Sequence, residues 1–258
     1  MAKPVALVTG AGSGIGLATA EKLAQAGYDL FLFDLDPSAL DALKKRLEKT
    51  GTTAIAMAGD VASEQDMERA AGKMLEGFGR LDAVIANAGI NGVWAPIDDL
   101  TLEEWDTTVN VNLRGTYLTL NTMVPLLKQS GGGAIVIVSS INGVRTFTTP
   151  GATAYSATKA GQVAMAQQLA LELARHAIRI NVVCPGAIET NIADSTEVRH
   201  REESEVPVIW PEGTVPISGG EPGQAGDVAD SILFLVSTAS RHITGSPLFV
   251  DGGQGLLR

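Results

Sequence analysis

One cysteine in 258 residues, Cys184, rules out an intrachain disulfide and suits a reducing compartment. It precedes Pro185 at the end of an apolar run and reads as a small buried hydrophobe. Histidine is scarce too: His176, His200 and His242 are too scattered for a metal site, no Cys/His cluster exists, and no metal is expected. Basic residues are in deficit, 19 Lys and Arg against 29 Asp and Glu, a formal net charge of −10. That balance argues against a nucleic-acid or anionic-membrane surface. No apolar run is long enough to span a bilayer, and the Met1-Ala2-Lys3-Pro4 start has no signal-peptide character. The expected location is cytoplasmic. Gly12-Ser13-Gly14 lacks the G-x-S-x-G form of a hydrolase elbow, and no histidine is placed for a serine triad.

What the chain does have is rhythm. Short apolar, β-branched runs at Val5–Thr9, Leu30–Phe33, Thr53–Ala58, Ala83–Ala86, Ala134–Val138, Arg179–Val183 and Pro247–Val250 alternate with amphipathic stretches near 14–26, 37–49, 63–78, 101–129, 153–176 and 225–238. The pattern predicts an α/β, Rossmann-type doubly wound parallel sheet of about seven strands, with helices on both faces. A chain of this length forms one such domain, 1–258. Asp36-Pro37 reads as an N-cap followed by Pro at the first helical position, with Gly51 closing that helix. Thr101 to Glu104 fits a capping box. The segment 191–226 breaks the rhythm, polar and rich in Pro and Gly, and is expected to be a substrate-binding lid.

The first strand delivers Thr9-Gly10-Ala11-Gly12-Ser13-Gly14-Ile15-Gly16 to the first helix. Gly10, Gly14 and Gly16 allow a tight turn and a backbone bare enough to approach a pyrophosphate at the helix's positive end. The placement between strand and helix is what makes this a dinucleotide signature. Asp34 ends the second strand, eighteen residues after Gly16. A carboxylate there accepts hydrogen bonds from a ribose diol and repels a 2′-phosphate, so NAD is preferred over NADP. No Arg or Lys stands beside it, and Asp36 is better explained as the helix cap. Asp60, with Val61 after the third strand, is a candidate for the adenine edge or a plain polar loop residue. Asn87-Ala88-Gly89 ends the fourth strand with small residues suited to close packing on a cofactor.

Tyr155 and Lys159 are four residues apart in a helical stretch and share one face. A phenol ordinarily titrates near ~10; a neighbouring ammonium is expected to lower that and make it a proton-transfer group.

Together these residues resemble the short-chain dehydrogenase/reductase family over nearly the whole chain: Thr9 to Gly16 its cofactor loop, Asn87-Ala88-Gly89 its mid-chain motif, Val138-Ser139-Ser140 its serine segment and Tyr155-x-x-x-Lys159 its catalytic pair. Pro185 to Thr190 is similar to the segment after its sixth strand, and Asp251-Gly252-Gly253 to its end. The resemblance implies a catalytic set of Asn112, Ser140, Tyr155 and Lys159. Tyr155 would exchange a proton with the substrate oxygen, Ser140 would hydrogen-bond that oxygen, Lys159 would hold the nicotinamide ribose and Asn112 would anchor a water relay. It further implies cofactor contacts from Pro185, Gly186, Ile188 and Thr190. Ser140 is preferred to Ser139 because it stands three residues before Gly143. Asn112 is preferred to Asn110 because it shares a helical stripe with Trp105, Val109 and Thr116.

The activity so implied is NAD-dependent interconversion of a secondary alcohol and a ketone or lactone. A small polar alcohol or sugar is the expected substrate; a 3-oxoacyl-carrier-protein-type reductase is the alternative. Isomerase, epimerase or dehydratase outcomes reuse the same groups, and a non-catalytic NAD-binding regulator is the alternative of another class. Candidate pocket residues are Trp94, Arg145, Thr146, Phe147, Glu189, Trp210 and Thr196 to Arg201. Ala154, Ala157, Ala160, Gly161, Ala164 and Ala166 give the Tyr155 helix a small-sided surface. The resemblance makes that an assembly face, and a homotetramer is expected.

Overall fold

The computed structural model of the protein describes residues 3–205 and 215–257. Its central sheet contains β1 (Val5–Thr9), β2 (Asp29–Asp34), β3 (Ala54–Ala58), β4 (Ala83–Ala86), β5 (Gly133–Val138), β6 (Ile178–Pro185) and β7 (Pro247–Val250). They lie in the order β7-β6-β5-β4-β1-β2-β3, every neighbouring pair parallel. Strand alternation divides the interior. Leu7, Phe31 and Phe33 point into one core cluster; Ala6, Val8, Leu30 and Leu32 point into the other.

Helices cover both faces. α1 (Gly14–Gln25), α2 (Pro37–Glu48) and α7 (Ala225–Val236) place Leu23, Leu40, Leu43 and Ile232 over one. α3 (Glu64–Phe78), α5 (Gly115–Gln129) and α6 (Thr153–Ala174) place Met67, Met74, Met123 and Ala166 over the other. The predicted caps form: Asp36 accepts from the amides of Ser38 and Ala39, and Thr101 and Glu104 bond reciprocally at the start of α4 (Leu102–Val109). The expected single helix over 101–129 is instead α4, a π-helical turn at Asn110–Arg114, and α5. Such turns concentrate at functional positions, and this one contains Asn112.

The described residues of the 191–226 segment are more structured than its composition suggests. Thr196–Val198 pairs with Gly92–Trp94, and Gly223–Gln224 pairs with Ile188–Glu189. Trp210 lies outside the described residues. Strand order reverses between β1 and β4, and in such sheets the crevice beyond the strands' carboxyl ends at that point is the ligand site. Among the described residues no helix is long and apolar enough to cross a membrane.

Candidate active site

A cleft of about 470 Å³ opens at that switch point. Gly10, Ser13, Gly14, Ile15, Asp34, Asp60, Val61, Asn87, Ala88, Gly89 and Thr190 line it, all anticipated from the sequence. Phe33, Leu35, Ile90, Val111, Ile192, Asp194 and Ser195 also line it and were not. Gly16, Pro185, Gly186 and Ile188 are packing positions rather than wall. A Cβ on Gly16 would meet the Asn87 amide at 2.6 Å, and one on Gly186 would meet Asp251 Cα at 2.9 Å. Pro185 is buried at the end of β6, and Ile188 is half-buried against the second core cluster.

The glycine loop is fastened from below. Asn87 Nδ2 donates to the carbonyls of Thr9 (2.9 Å) and Gly10 (3.2 Å), while the amides of Asn87 and Ala88 donate to Thr9 Oγ1 at 3.0 and 3.1 Å. Asn87 therefore braces the loop, with Thr9 as a partner that sequence reasoning passed over. Gly10 and Gly14 have φ of 66° and 49°, in the left-handed region that glycine tolerates. Ser13 caps α1 without a side-chain hydrogen bond, and the first turn carries no acidic residue. The helix's first N–H groups stay available to an anion.

Asp34 accepts from Gly12 N at 2.8 Å and from Asp36 N at 3.0 Å, which fixes the carboxylate at the cleft wall. Asp60 accepts from Ala62 N at 2.8 Å. Among the described residues lining the cleft there is neither lysine nor arginine, whereas Asp34, Asp60 and Asp194 are present. The bare loop, the open helix end and the acid at the end of β2 fit a dinucleotide. Among the described residues no group of three His, Cys, Asp or Glu is set to hold a metal ion.

Beyond Gly89 lies the second half of the site. Asn112 is fully buried; its Oδ1 accepts from Ile90 N at 2.8 Å and its Nδ2 donates to Ile90 O at 2.9 Å and Thr158 Oγ1 at 3.2 Å. A Cβ on Gly89 would stand 3.1 Å from Asn112 Oδ1 and 3.4 Å from Lys159 Nζ, so only glycine leaves these two groups undisturbed. Lys159 Nζ donates to Val138 O at 3.1 Å and lies 5.5 Å from the Tyr155 ring centroid. The adjacent serines part ways, as strand alternation demands. Ser139 Oγ donates to the Lys159 carbonyl at 2.8 Å, and Ser140 faces the Tyr155 phenol.

Burial governs the ionisation of the pair. The Tyr155 phenol is pushed up to about 12 by removal from water, with Ser140 pulling the other way. Burial draws the Lys159 ammonium down to about 8. This corrects the expected sign for Tyr155: in the protein alone, desolvation outweighs the Ser140 hydrogen bond, the influence that opposes it. Cys184 is likewise pushed up to about 12 by burial, an inert thiol.

The Tyr155 ring adjoins Trp94, the two ring centroids lying 6.4 Å apart. A recess of about 270 Å³ is lined by Trp94, Thr146, Thr148, Thr149, Pro150, Val198, Arg201 and Gln254. Arg145 is committed elsewhere, over the Phe249 ring at 3.3 Å and 3.8 Å from Asp251. Phe147 is exposed, and Glu189 accepts from Gln224 at 2.8 Å. Arg199 Nη2 donates to Asp99 O at 2.8 Å and to Glu104 Oε2 at 3.0 Å, and its Nε donates to Asp99 Oδ2 at 3.1 Å. This latch ties the 191–226 segment to α4 and holds the Glu104 carboxyl down at about 2.

This arrangement recurs in known proteins. The family model described as short chain dehydrogenase matches residues 4–201. The chain is 33% identical to the levodione reductase of Leifsonia aquatica over 97% of this chain and 93% of that one. It is 35% identical to a 3-oxoacyl-acyl-carrier-protein reductase of Thermotoga maritima over 96% of each. Among solved structures, a 3-ketoacyl-ACP reductase from Sinorhizobium meliloti 1021 superposes with a TM-score of 0.96 at 61% identity, covering 99% of this chain and 100% of that one. A 3-ketoacyl-(acyl-carrier-protein) reductase from Brucella melitensis, complexed with NADH, gives 0.85 at 31% identity over 98% of each. With the parallel sheet, the glycine loop at its switch point and the buried tyrosine–lysine pair, these matches make the chain a member of the short-chain dehydrogenases, an oxidoreductase acting on CH–OH groups.

Proposed function

We propose that the protein prefers NAD and interconverts a small polar secondary alcohol or sugar with its ketone or lactone, Tyr155 acting as general acid/base. The observation that carries the reading is the buried phenol between Ser140 and Trp94, one helical turn from Lys159. When bound, a nicotinamide cofactor would supply or accept the hydride. Gly10 to Gly16 and the open end of α1 would hold its pyrophosphate, and Asp34 its adenosine ribose. Asp60 and Val61 would border the adenine, while Asn87, Ala88, Gly89, Lys159 and Thr190 would border the nicotinamide half. Pro185, Gly186 and Ile188 would support the chain beside it. Ser140 and Tyr155 would hydrogen-bond the substrate oxygen. Tyr155, a neutral phenol at neutral pH, is set to give that oxygen a proton in reduction and to recover it in oxidation. Lys159, charged below about pH 8, would favour the phenolate when the proton leaves.

The recess beside Trp94, with three threonine hydroxyls, Gln254 and Arg201, supports a compact polar substrate. A 3-oxoacyl-carrier-protein-type reductase is the second reading, favoured by the 61% identity to the Sinorhizobium meliloti protein. A panel of sugars, polyols, secondary alcohols and 3-oxoacyl thioesters, followed by NADH absorbance, separates them. Turnover of thioesters alone selects the second reading, and turnover of nothing favours a non-catalytic NAD-binding protein. Homotetramer assembly in the cytoplasm completes the proposal. The groove between α5 and α6, lined by Leu120, Val124, Pro125, Met165 and Leu169, supports helix pairing between copies. Light scattering on the purified protein tests it.

A further inference from the structure

On α6, Tyr155, Thr158, Lys159 and Gln162 fall at i, i+3, i+4 and i+7, one continuous stripe, and all four are buried. Two of them have a role in the chemistry proposed above. The other two both hold Asn112, one by its side chain and one by its main chain. Thr158 Oγ1 accepts from the Asn112 side-chain amide at 3.2 Å and donates to Tyr155 O at 2.7 Å. Gln162 Nε2 donates to the Asn112 carbonyl at 2.9 Å and to Thr116 Oγ1 at 2.8 Å. Thr116 Oγ1 donates to that same carbonyl at 2.7 Å, so its proton is spent there and it can only accept from Gln162.

The Gln162 amide thus has one allowed orientation. Turned over, its oxygen would face two acceptors. Held as it is, Gln162 Oε1 has no hydrogen-bond partner among the described residues. A fully buried amide held in one orientation by a carbonyl inside a π-turn is a strong local constraint.

We infer that Thr158 and Gln162 are positioning residues that grip Asn112 by side chain and main chain, hold the π-turn at Asn110–Arg114, and so fix the Asn112 amide against Ile90 beside Lys159. The inference rests on the reading of Asn112, Tyr155 and Lys159 as the catalytic set. Neither positioning residue touches the cleft; each acts through Asn112.

Gln162→Met keeps the side chain's length without its donor, and Thr158→Val keeps the shape of threonine without its hydroxyl. Each is expected to lower kcat roughly ten- to a hundredfold, the scale of a misplaced catalytic group. The substrate KM and the NADH Kd stay within about twofold, because binding is left intact. Thr158→Ser restores the hydroxyl and is expected to recover kcat. Amide hydrogen exchange over Asn110–Thr116 rises in both damaging variants while exchange in β1 and α1 is unchanged. Increased exchange with an unaltered kcat overturns the positioning role, and so does a parallel loss of kcat, NADH affinity and thermal stability. Should the wild-type protein bind NADH yet turn over no substrate, the catalytic reading itself fails and the positioning role with it. The exchange measurement then still reports whether the grip on the π-turn exists.

Discussion

Replacing Lys159 with methionine removes a charge the fold carries at its own expense. An ammonium with an ordinary value of 10.5, held at about 8 by burial, costs about 3 kcal/mol of stability at pH 7 relative to a neutral group in the same place. Methionine keeps the length and the apolar stem but forfeits the bond to Val138 O, a loss of about 1 kcal/mol. The expected balance is a variant more stable by about 2 kcal/mol at pH 7 and inactive. The sign of its pH dependence follows from the depressed value. Between about pH 8 and 10.5 the unfolded chain holds the lysine proton and the folded protein does not, so the parent gains stability as pH rises through that window. The variant's advantage is therefore full at pH 7 and gone near pH 10.5, titrations common to both proteins largely cancelling in the difference. Urea unfolding of both proteins without nucleotide, at pH 7 and near pH 10.5, measures it. A variant no more stable than its parent at pH 7, or an advantage that does not shrink with pH, refutes the reasoning.

Three other outcomes follow from the geometry. Asp34→Ala with Leu35→Arg, at the wall where both residues line the cleft, should weaken NADH and strengthen NADPH by roughly tenfold or more in fluorescence titrations, as ribose hydrogen bonds are traded for a phosphate partner. Gly89→Ala puts a methyl group 3.1 Å from Asn112 Oδ1 and 3.4 Å from Lys159 Nζ, and should lower kcat while leaving a folded protein. Arg199→Met removes the tie between the 191–226 segment and Glu104. Substrate KM should rise several-fold with NADH affinity unchanged, and the Glu104 carboxyl, now at about 2, should return to the usual carboxylate range by NMR titration.

The sequence was most legible where local chemistry and global fold ask for the same residue. Apolar runs placed the seven strands to within two residues, because strands buried on both faces can hold little else. Asp36 and the Thr101–Glu104 box announced two helix starts through side chains whose purpose is local. Asn112 was separable from Asn110 by helical phase, a single buried stripe. The π-turn around it left no trace in periodicity, since one wider turn is a tertiary accommodation to α6. Thr158 and Gln162 were hidden for the same reason: their partners lie 46 and 50 residues away. Spacing put a cation near the Tyr155 phenol but said nothing of how dry both groups are, and dryness decided the direction of the shift. Arg145 read as a pocket residue on paper; Phe249 and Asp251, over a hundred residues on, hold it elsewhere.

The account's central claim is that Tyr155 moves the substrate's proton. Tyr155→Phe removes one oxygen from a side chain already packed against Trp94 and Lys159, leaving the dinucleotide cleft as it was. Turnover of any accepted substrate should fall by roughly a hundredfold or more, the contribution expected of a positioned acid/base, while NADH binds with its wild-type Kd. Turnover within a few-fold of the wild type would contradict it.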